Sequence, residues 1–246
     1  MDKRKLKLSV TNCYLIEIGN KYLLIDTGYE NEWELFCKRL KELGIGLPEI
    51  SHILLTHHHD DHCGLLNKVL EENPDIRIIM SYQAKDFLLE GKNDQSHSLA
   101  YVNKRVNLLF SLIQIFDKRW KTHAFPPYQS REIDILVKGG THLKEIGIGL
   151  NGRIIETPGH SVDSISVVFD DGDCIVGDAA ANIISFTGTK YCVIIIEDLE
   201  AYYQSWRKLI SLGARQIFPA HGKPFPAERL EQNIDKISKK HMVKIS

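Results

Sequence analysis

The sequence predicts a mixed α/β fold in which helices cover central sheets. Strand-like and helix-like stretches alternate in both halves of the chain, and the strand-like stretches are short and apolar. Apolar strands in such an alternation are typical of sheets with helices packed on their outer faces. The chain has 246 residues, 43% of them hydrophobic, which is enough apolar material for a sizeable core. This composition excludes disorder and low-complexity structure.

The first half begins with two strand-like runs joined at Gly19-Asn20, a pair that favours a hairpin turn. An amphipathic stripe follows and ends near Gly44, and a short apolar strand then leads directly into a cluster of histidines. The predicted elements of this half are strands at residues 7–18, 22–26, 52–55 and 76–80, and helices at residues 30–43 and 62–70.

The second half repeats the alternation. Its last helix begins after Pro226, because proline fits the first turn of a helix. The predicted elements are strands at residues 133–137, 154–157, 164–169, 174–176 and 216–218, and a helix at residues 199–212 before that last one.

A segment between the two halves departs from the alternation. Residues 97–116 carry apolar side chains at helical spacing, which predicts either a helix that packs on the core or a lid or dimer helix over a site. No linker rich in proline, glycine or serine divides the chain, so we predict a single domain over residues 1–246 with a helical insert at residues 97–127. Candidate residues of the insert for lining a substrate pocket are Tyr101, Phe110, Trp120 and Phe125.

Charge, hydropathy and cysteine content limit the partners and the cellular compartment that we expect for the chain. The chain has 31 Lys and Arg against 32 Asp and Glu, a net charge of −1, which disfavours a nucleic acid as the main partner. The longest apolar run has six residues, at 191–196, so a membrane span is not expected. The basic start has no apolar segment behind it, unlike a signal peptide. Five scattered cysteines fit free thiols in a reducing compartment, and we expect a cytoplasmic protein.

The strongest chemical signal is the run of residues 56–64, which reads THHHDDHCG. In an extended loop, side chains two residues apart point the same way, so His57 and His59 can bind one cation. Asp61 and His62 follow where the chain turns into a helix, and they can reach a second cation. Imidazoles combined with carboxylates suit Zn²⁺, and also iron or manganese.

Three further polar residues follow predicted strands later in the chain. His160 lies in TPGHS, Asp178 in VGDA and His221 in PAHG. Any one of them alone would be ordinary at a strand end. Their occurrence together with the histidine cluster indicates one metal centre assembled from distant segments.

With these motifs the chain resembles the metallo-β-lactamase-fold hydrolases. Their HxHxDH motif matches residues 57–62, their early strand-ending aspartate matches Asp26, and their later single-residue motifs match His160, Asp178 and His221. The resemblance implies a four-layer αββα sandwich with the metal ions at one edge, and it places the helical insert between the second and third metal motifs. It also implies that one ion is held by His57, His59 and His160, that the other is held by Asp61, His62 and His221, and that Asp178 bridges the two.

The resemblance assigns supporting roles as well. Asp26 would accept a hydrogen bond from a ligand imidazole and fix its tautomer. His58 and Asp60 occupy positions that vary in the family, and we expect them to be solvated or to support ligands rather than to bind metal. Cys63 is expected to pack in the core rather than to act as an additional metal ligand or a redox thiol.

The function implied is a dinuclear hydrolase with two divalent ions, zinc first and iron or manganese as alternatives. A hydroxide shared by the ions would attack the carbonyl of a small ester, thioester or lactone, with Asp61 and Asp178 as catalytic residues. Acyl-homoserine lactonases carry a tyrosine shortly after the bridging aspartate, where this chain has three alanines at residues 179–181. The alternatives are a phosphodiesterase or nuclease of the same superfamily and a di-iron redox protein. We expect a small-molecule substrate, with a homodimer as the predicted assembly if the insert is a dimer contact.

Overall fold

The computed structural model of the chain describes residues 2–93, 98–116 and 124–245. Its first sheet has six strands and is mixed: the first three strands form an antiparallel meander, and the remaining neighbours pair in parallel. In spatial order these strands are β1 (Lys3–Lys7), β2 (Asn12–Ile18), β3 (Lys21–Ile25), β4 (Ile50–Leu54), β5 (Arg77–Ser81) and β7 (Ile135–Val137).

The second sheet also has six strands, antiparallel except for one parallel pair, β11 with β13. In spatial order they are β14 (Phe225–Pro226), β13 (Gln216–Pro219), β11 (Asp173–Gly177), β10 (Ile165–Phe169), β9 (Gly152–Glu156) and β8 (Thr141–His142). A small third sheet has the spatial order β12 (Ile195–Ile196), β6 (Ala100–Tyr101) and β15 (Val243–Lys244).

The described helices cover the outer faces of the two large sheets. They are α1 (Trp33–Glu42), α2 (Asp60–Cys63), α3 (Leu66–Glu72), α4 (Ala84–Glu90), α5 (Lys104–Phe116), α6 (Leu199–Ser211) and α7 (Glu228–Glu231). No helix among the described residues is both long and apolar enough to span a lipid bilayer.

Three hydrophobic clusters define the order of the layers. The middle cluster joins the facing sides of the two sheets, with Ile25 and Leu54 from the first sheet against Val167 and Ile175 from the second. A second cluster lies between the other face of the first sheet and the helices α1, α3 and α4. A third lies between the second sheet and the helices α5, α6 and α7. The arrangement is a helix–sheet–sheet–helix sandwich, and the predicted fold class is confirmed.

Some predicted elements differ from the observed ones. The single strand predicted at residues 7–18 is two strands, because the chain turns at residues 8–11, where the Leu8 N–H donates to the Thr11 carbonyl at 2.9 Å. The helix predicted at residues 62–70 begins earlier and is divided into α2 and α3. The hairpin predicted at Gly19-Asn20 is present, since Ile18 pairs with Lys21 across the turn.

The helical insert is described in part. Tyr101 and Phe110 are buried against the second sheet, whereas Phe125 is buried in the cluster beside the first sheet. They belong to different clusters, so the proposed lining residues do not form one common wall. The remaining candidate lining residue, Trp120, lies outside the described residues.

Candidate metal centre

The predicted site residues meet at one edge of the sandwich because each follows the carboxyl end of a strand. Strands β3 and β4 are parallel in the first sheet, and β9, β11 and β13 share one direction in the second. Two glycines let these strand ends approach their neighbours. Gly177 has a φ of +51°, and a Cβ there would lie 2.5 Å from the Thr56 Oγ1 atom; Gly159, before His160, has a φ of +128° and would meet the Tyr202 backbone at 2.4 Å.

Three histidines form the first group, which we call the three-histidine site: His57, His59 and His160. Their ligand atoms lie within 4.8 Å of one another, and His160 Nε2 is 2.9 Å from His59 Nδ1. His160 Nδ1 donates to the Ile195 carbonyl at 2.9 Å, which leaves the Nε2 lone pair facing the site. The other ring nitrogen of His57, Nδ1, lies 3.1 Å from the Thr56 hydroxyl.

The second group, which we call the aspartate–histidine site, contains Asp61, His62 and His221. His62 Nδ1 donates to Asp26 at 2.9 Å, so its Nε2 atom faces Asp61 Oδ1 at 3.5 Å. His221 Nδ1 donates to the Val10 carbonyl at 3.1 Å, and its Nε2 atom lies 3.2 Å from Asp61 Oδ2.

Asp178 lies between the two groups. Its Oδ1 atom is 3.2 Å from His221 Nε2 and 3.6 Å from His62 Nε2, whereas its Oδ2 atom is 3.4 Å from His160 Nε2. Asp178 also forms a third compact group with His57 and His62. One carboxylate therefore faces ligand atoms of both sites.

The donor set fits divalent metal ions. His57 Nε2, His62 Nε2 and Asp178 Oδ1 are buried and have no hydrogen-bond partner among the described residues. Buried polar atoms are rarely left unpaired in proteins, and these three all point into the same space. Five imidazoles and two carboxylates are the ligand types that zinc, iron and manganese accept, so a metal ion would satisfy these atoms.

Protonation differs between the two sites. Burial and the neighbouring histidines lower the pKa values of His57 and His59, and burial also lowers that of His160, so this site is neutral at pH 7. At the other site burial opposes protonation, but the Asp61, Asp26 and Asp178 carboxylates outweigh it and raise the pKa of His62 to about 9. Asp178 and Asp61 likewise raise the pKa of His221, while the pKa values of both carboxyls are lowered.

The difference in histidine pKa between the two sites predicts how metal affinity depends on pH. His62, with a pKa of about 9, is protonated at pH 7 in the metal-free protein, and a metal ion must displace that proton. The affinity of the aspartate–histidine site for Zn²⁺ should therefore rise about tenfold per pH unit for each proton displaced, from pH 7 until about pH 9. Chelator competition at several pH values measures this. In a His221→Ala control, which leaves the three-histidine site, the affinity should stay flat; a flat profile in the unmodified chain would contradict the assignment.

Metal removal should also change stability. A ligand present at 100 times its dissociation constant stabilises the folded state by about 2.7 kcal/mol. For a chain of this length each kcal/mol raises Tm by about 2–4 °C. We therefore expect excess chelator to lower Tm by about 5–10 °C per site and added Zn²⁺ to restore it, as measured by thermal unfolding. An unchanged Tm after complete removal of bound metal would argue that the site does not hold an ion in the folded protein.

Several residues around the site have no signal in the sequence motifs. The Thr11 hydroxyl donates to Asp61 Oδ2 at 2.9 Å, and the Thr56 hydroxyl donates to Asp26 Oδ2 at 2.8 Å. Asp163, three residues after His160, accepts hydrogen bonds from His58. A search for polar residues near the histidine motifs would have included Thr56 and Asp163, but nothing local distinguishes them from other polar loop residues.

His58, Asp60 and Cys63, which the sequence predicts not to bind metal, make hydrogen bonds beside the ligands. His58 is fully buried, not solvated, and Asp60 exchanges two hydrogen bonds with Asn93, each of 2.9 Å. The Cys63 thiol donates to the His58 carbonyl at 3.1 Å, and burial raises its pKa well above the ordinary value. Neither His58, Asp60 nor Cys63 belongs to a group of possible metal ligands among the described residues.

Helices enclose two sheets, and imidazoles and carboxylates that could hold metal ions gather at one edge of the sandwich, which is the arrangement expected of the metallo-β-lactamase fold. The sequence model described as the metallo-beta-lactamase superfamily matches residues 6–221. The chain therefore belongs to the metallo-β-lactamase superfamily.

Individual relatives share about a quarter of their residues with this chain. The chain is 27% identical over 221 residues to a "Beta-lactamase-like protein 2 homolog" of Caenorhabditis elegans, covering 87% of this chain and 57% of that protein. It is 27% identical over 241 residues to an "Atrochrysone carboxyl ACP thioesterase" of Aspergillus fumigatus, covering 94% of this chain and 58% of that protein. The chain thus spans less than two thirds of the length of these two relatives.

Solved structures agree with the fold. The subclass B3 metallo-β-lactamase BJP-1 of Bradyrhizobium japonicum superposes with a TM-score of 0.65 at 18% identity, covering 97% of this chain and 88% of that one. At this identity the likeness concerns the fold alone.

Proposed function

We propose that the chain is a dinuclear metallohydrolase of small carbonyl substrates: esters, thioesters or lactones. The observation that carries the proposal is the position of Asp178, whose two carboxylate oxygens face ligand atoms of different sites. A single ion would leave several buried imidazole nitrogens and carboxylate oxygens unsatisfied. Zinc is the first choice, with iron and manganese as alternatives.

In this proposal His57, His59 and His160 would hold one ion, Asp61, His62 and His221 the other, and Asp178 both. Divalent ions at this centre would supply Lewis acidity, which lowers the pKa of water towards about 7 and polarises a carbonyl oxygen. The chain's own residues orient the ligands. Asp26 fixes the His62 tautomer, and the Thr11 hydroxyl fixes the Asp61 carboxylate. Asp61 is thereby positioned to orient the attacking water and to carry its proton to the leaving group.

Among carbonyl substrates, a thioester is supported best. One relative at 27% identity is named a thioesterase. Ala179, Ala180 and Ala181, after Asp178, are buried and offer no side-chain hydroxyl to a lactone carbonyl. Apolar side chains also stand exposed on loops that hold ligands: Val10, whose carbonyl binds His221, is 40% exposed, and Val162, two residues after His160, is 41% exposed. These features favour an acyl chain with some apolar character.

A substrate panel tests the proposal. The purified chain, loaded with zinc, iron or manganese, would be assayed on esters, thioesters, lactones, lactams and phosphodiesters, with Asp178→Ala as the inactive control. Hydrolysis of a thioester that is lost in the control supports the proposal. Turnover of phosphodiesters alone would indicate the nuclease alternative, and oxygen or thiol turnover by the iron form alone would indicate the redox alternative.

We also infer that residues 1–246 form one domain and that strand β6, in the described part of the predicted insert, supports the site from one side. The register of the small third sheet favours this, because Tyr101 of β6 pairs with Ile195 of β12, whose carbonyl accepts the hydrogen bond from His160. The five cysteines are free thiols, which supports a reducing, cytoplasmic setting. Homodimerisation through the insert stays a prediction, which sedimentation of the purified chain would check.

A further inference from the structure

His58 lies between two proposed metal ligands but points away from the metal centre. Side chains alternate in an extended segment, so His57 and His59 share one side and His58 takes the other. His58 is fully buried there, and its ring stacks on Phe87 of α4 with centroids 4.2 Å apart and planes 13° from parallel. The sequence offered no role for this position beyond a solvated or supporting side chain.

Both carboxylate oxygens of Asp163 bind His58. The His58 backbone N–H donates to Oδ2 at 2.9 Å, and the ring Nδ1 donates to Oδ1 at 2.8 Å. Asp163 is itself fully buried. Two bonds from one residue to one carboxylate fix the backbone and the ring of His58 together. A buried carboxylate is costly compared with an apolar pair of similar volume, so packing alone does not explain its presence.

The pair joins the two loops that form the three-histidine site. Asp163 lies three residues after His160, whereas His58 is bonded to both His57 and His59 in the chain. A backbone bond from the Ile165 N–H to the Thr56 carbonyl, 2.8 Å long, connects the same two loops nearby. Any shift of Asp163 relative to His58 would therefore change the distance between His160 and the other two histidines.

The aspartate–histidine site is held by other contacts. Asp26 binds His62, the Val10 carbonyl binds His221 and the Thr11 hydroxyl binds Asp61. Among the described residues, the Asp163 carboxylate accepts its hydrogen bonds from His58 and not from these ligands. The hydrogen bonds of Asp163 thus support the three-histidine site and not the ligands Asp61, His62 and His221.

We infer that Asp163 and His58 are positioning residues that set the geometry of the three-histidine site and so its affinity for a metal ion, independently of the other site. The inference rests on the dinuclear site proposed above. It concerns residues that touch neither metal nor substrate, so metal affinity rather than turnover is the decisive measurement.

Three variants test the pair. His58→Leu keeps similar volume without a ring donor, Asp163→Asn keeps the shape without the charge, and His58→Asn can place its amide nitrogen where Nδ1 lies. Phe87→Leu is the matched control, since it removes the stacking but leaves the carboxylate bonds. Zn²⁺ affinities and stoichiometry would be measured by chelator competition, Co²⁺ spectra would report ligand geometry, and Tm of the metal-free protein would report folding.

We expect His58→Leu and Asp163→Asn to weaken the affinity for one of the two ions by about 10–100-fold. His58→Asn should recover most of the lost affinity. In a His160→Ala background, which retains only the aspartate–histidine site, His58→Leu should leave the remaining affinity unchanged within about threefold. Equal weakening of both ions, a lower Tm with unchanged affinities, or no recovery in His58→Asn would overturn the inference.

The outcome for the proposed function is separate. If the unmodified chain binds a single ion, the dinuclear proposal fails. The positioning pair is then judged on that ion alone, by whether its affinity falls in His58→Leu and recovers in His58→Asn.

Discussion

Replacing Asp178 by asparagine is expected to lower kcat/KM by about 10³-fold on the best substrate. The carboxylate faces His160 with one oxygen and His62 and His221 with the other, at 3.2–3.6 Å. A neutral amide of the same shape cannot offset the charge of two cations. Loss of charge stabilisation worth about 4 kcal/mol corresponds to this change in rate.

The measurement combines steady-state kinetics with metal analysis of the same sample. Asp86→Asn is the matched control, because Asp86 is exposed on α4 and the same substitution there should change neither activity nor metal content. A decrease of less than about tenfold in Asp178→Asn, with two ions still bound, would mean that Asp178 does not act at the centre as proposed.

The fold and the ligand candidates could be predicted because their signals are local and repeated. The candidate ligands lie in segments that follow apolar strands, and parallel strands bring their carboxyl ends to one edge. The order of the motifs along the chain also contributed to the prediction, because it is the order that the resemblance to the metallo-β-lactamase-fold hydrolases implies. His160 and His221 could thus be proposed as ligands although neither lies near the histidine cluster in sequence.

The supporting contacts could not be predicted because they join distant segments without local patterns. The bonds between Asp163 and His58 connect positions 105 residues apart, and the bond between Thr11 and Asp61 spans 50 residues. The turn that presents Thr11 contains neither glycine nor proline at residues 8–11, so the sequence there looked like a continuous strand. Helix α4, which provides Phe87, has only seven residues and no long apolar stripe.

Asp26 connects the two sites in a way that the separate motifs do not show. Its Oδ2 atom accepts from His62 Nδ1 at 2.9 Å and from the Thr56 hydroxyl at 2.8 Å. Because that hydroxyl donates to Asp26, it can accept from His57 Nδ1, 3.1 Å away, which leaves the His57 Nε2 lone pair for a metal ion. One buried carboxylate thus orients a ligand imidazole in each site.

Asp26→Asn should therefore weaken metal binding at both proposed sites by about 10–100-fold. It should also lower the free energy of unfolding of the metal-free protein by about 3–5 kcal/mol. Asparagine preserves the shape and tolerates the left-handed backbone at this position, where φ is +60°, so the charge and the acceptor are what change. An amide N–H₂ would face the His62 or Thr56 donors and leave one unpaired. Chelator competition and denaturant unfolding measure the two effects. Asp163→Asn is the matched comparison, since it should weaken metal binding only at the three-histidine site. If Asp26→Asn weakened metal binding at only one of the two sites, the hydrogen bond through Thr56 would have no part in orienting His57.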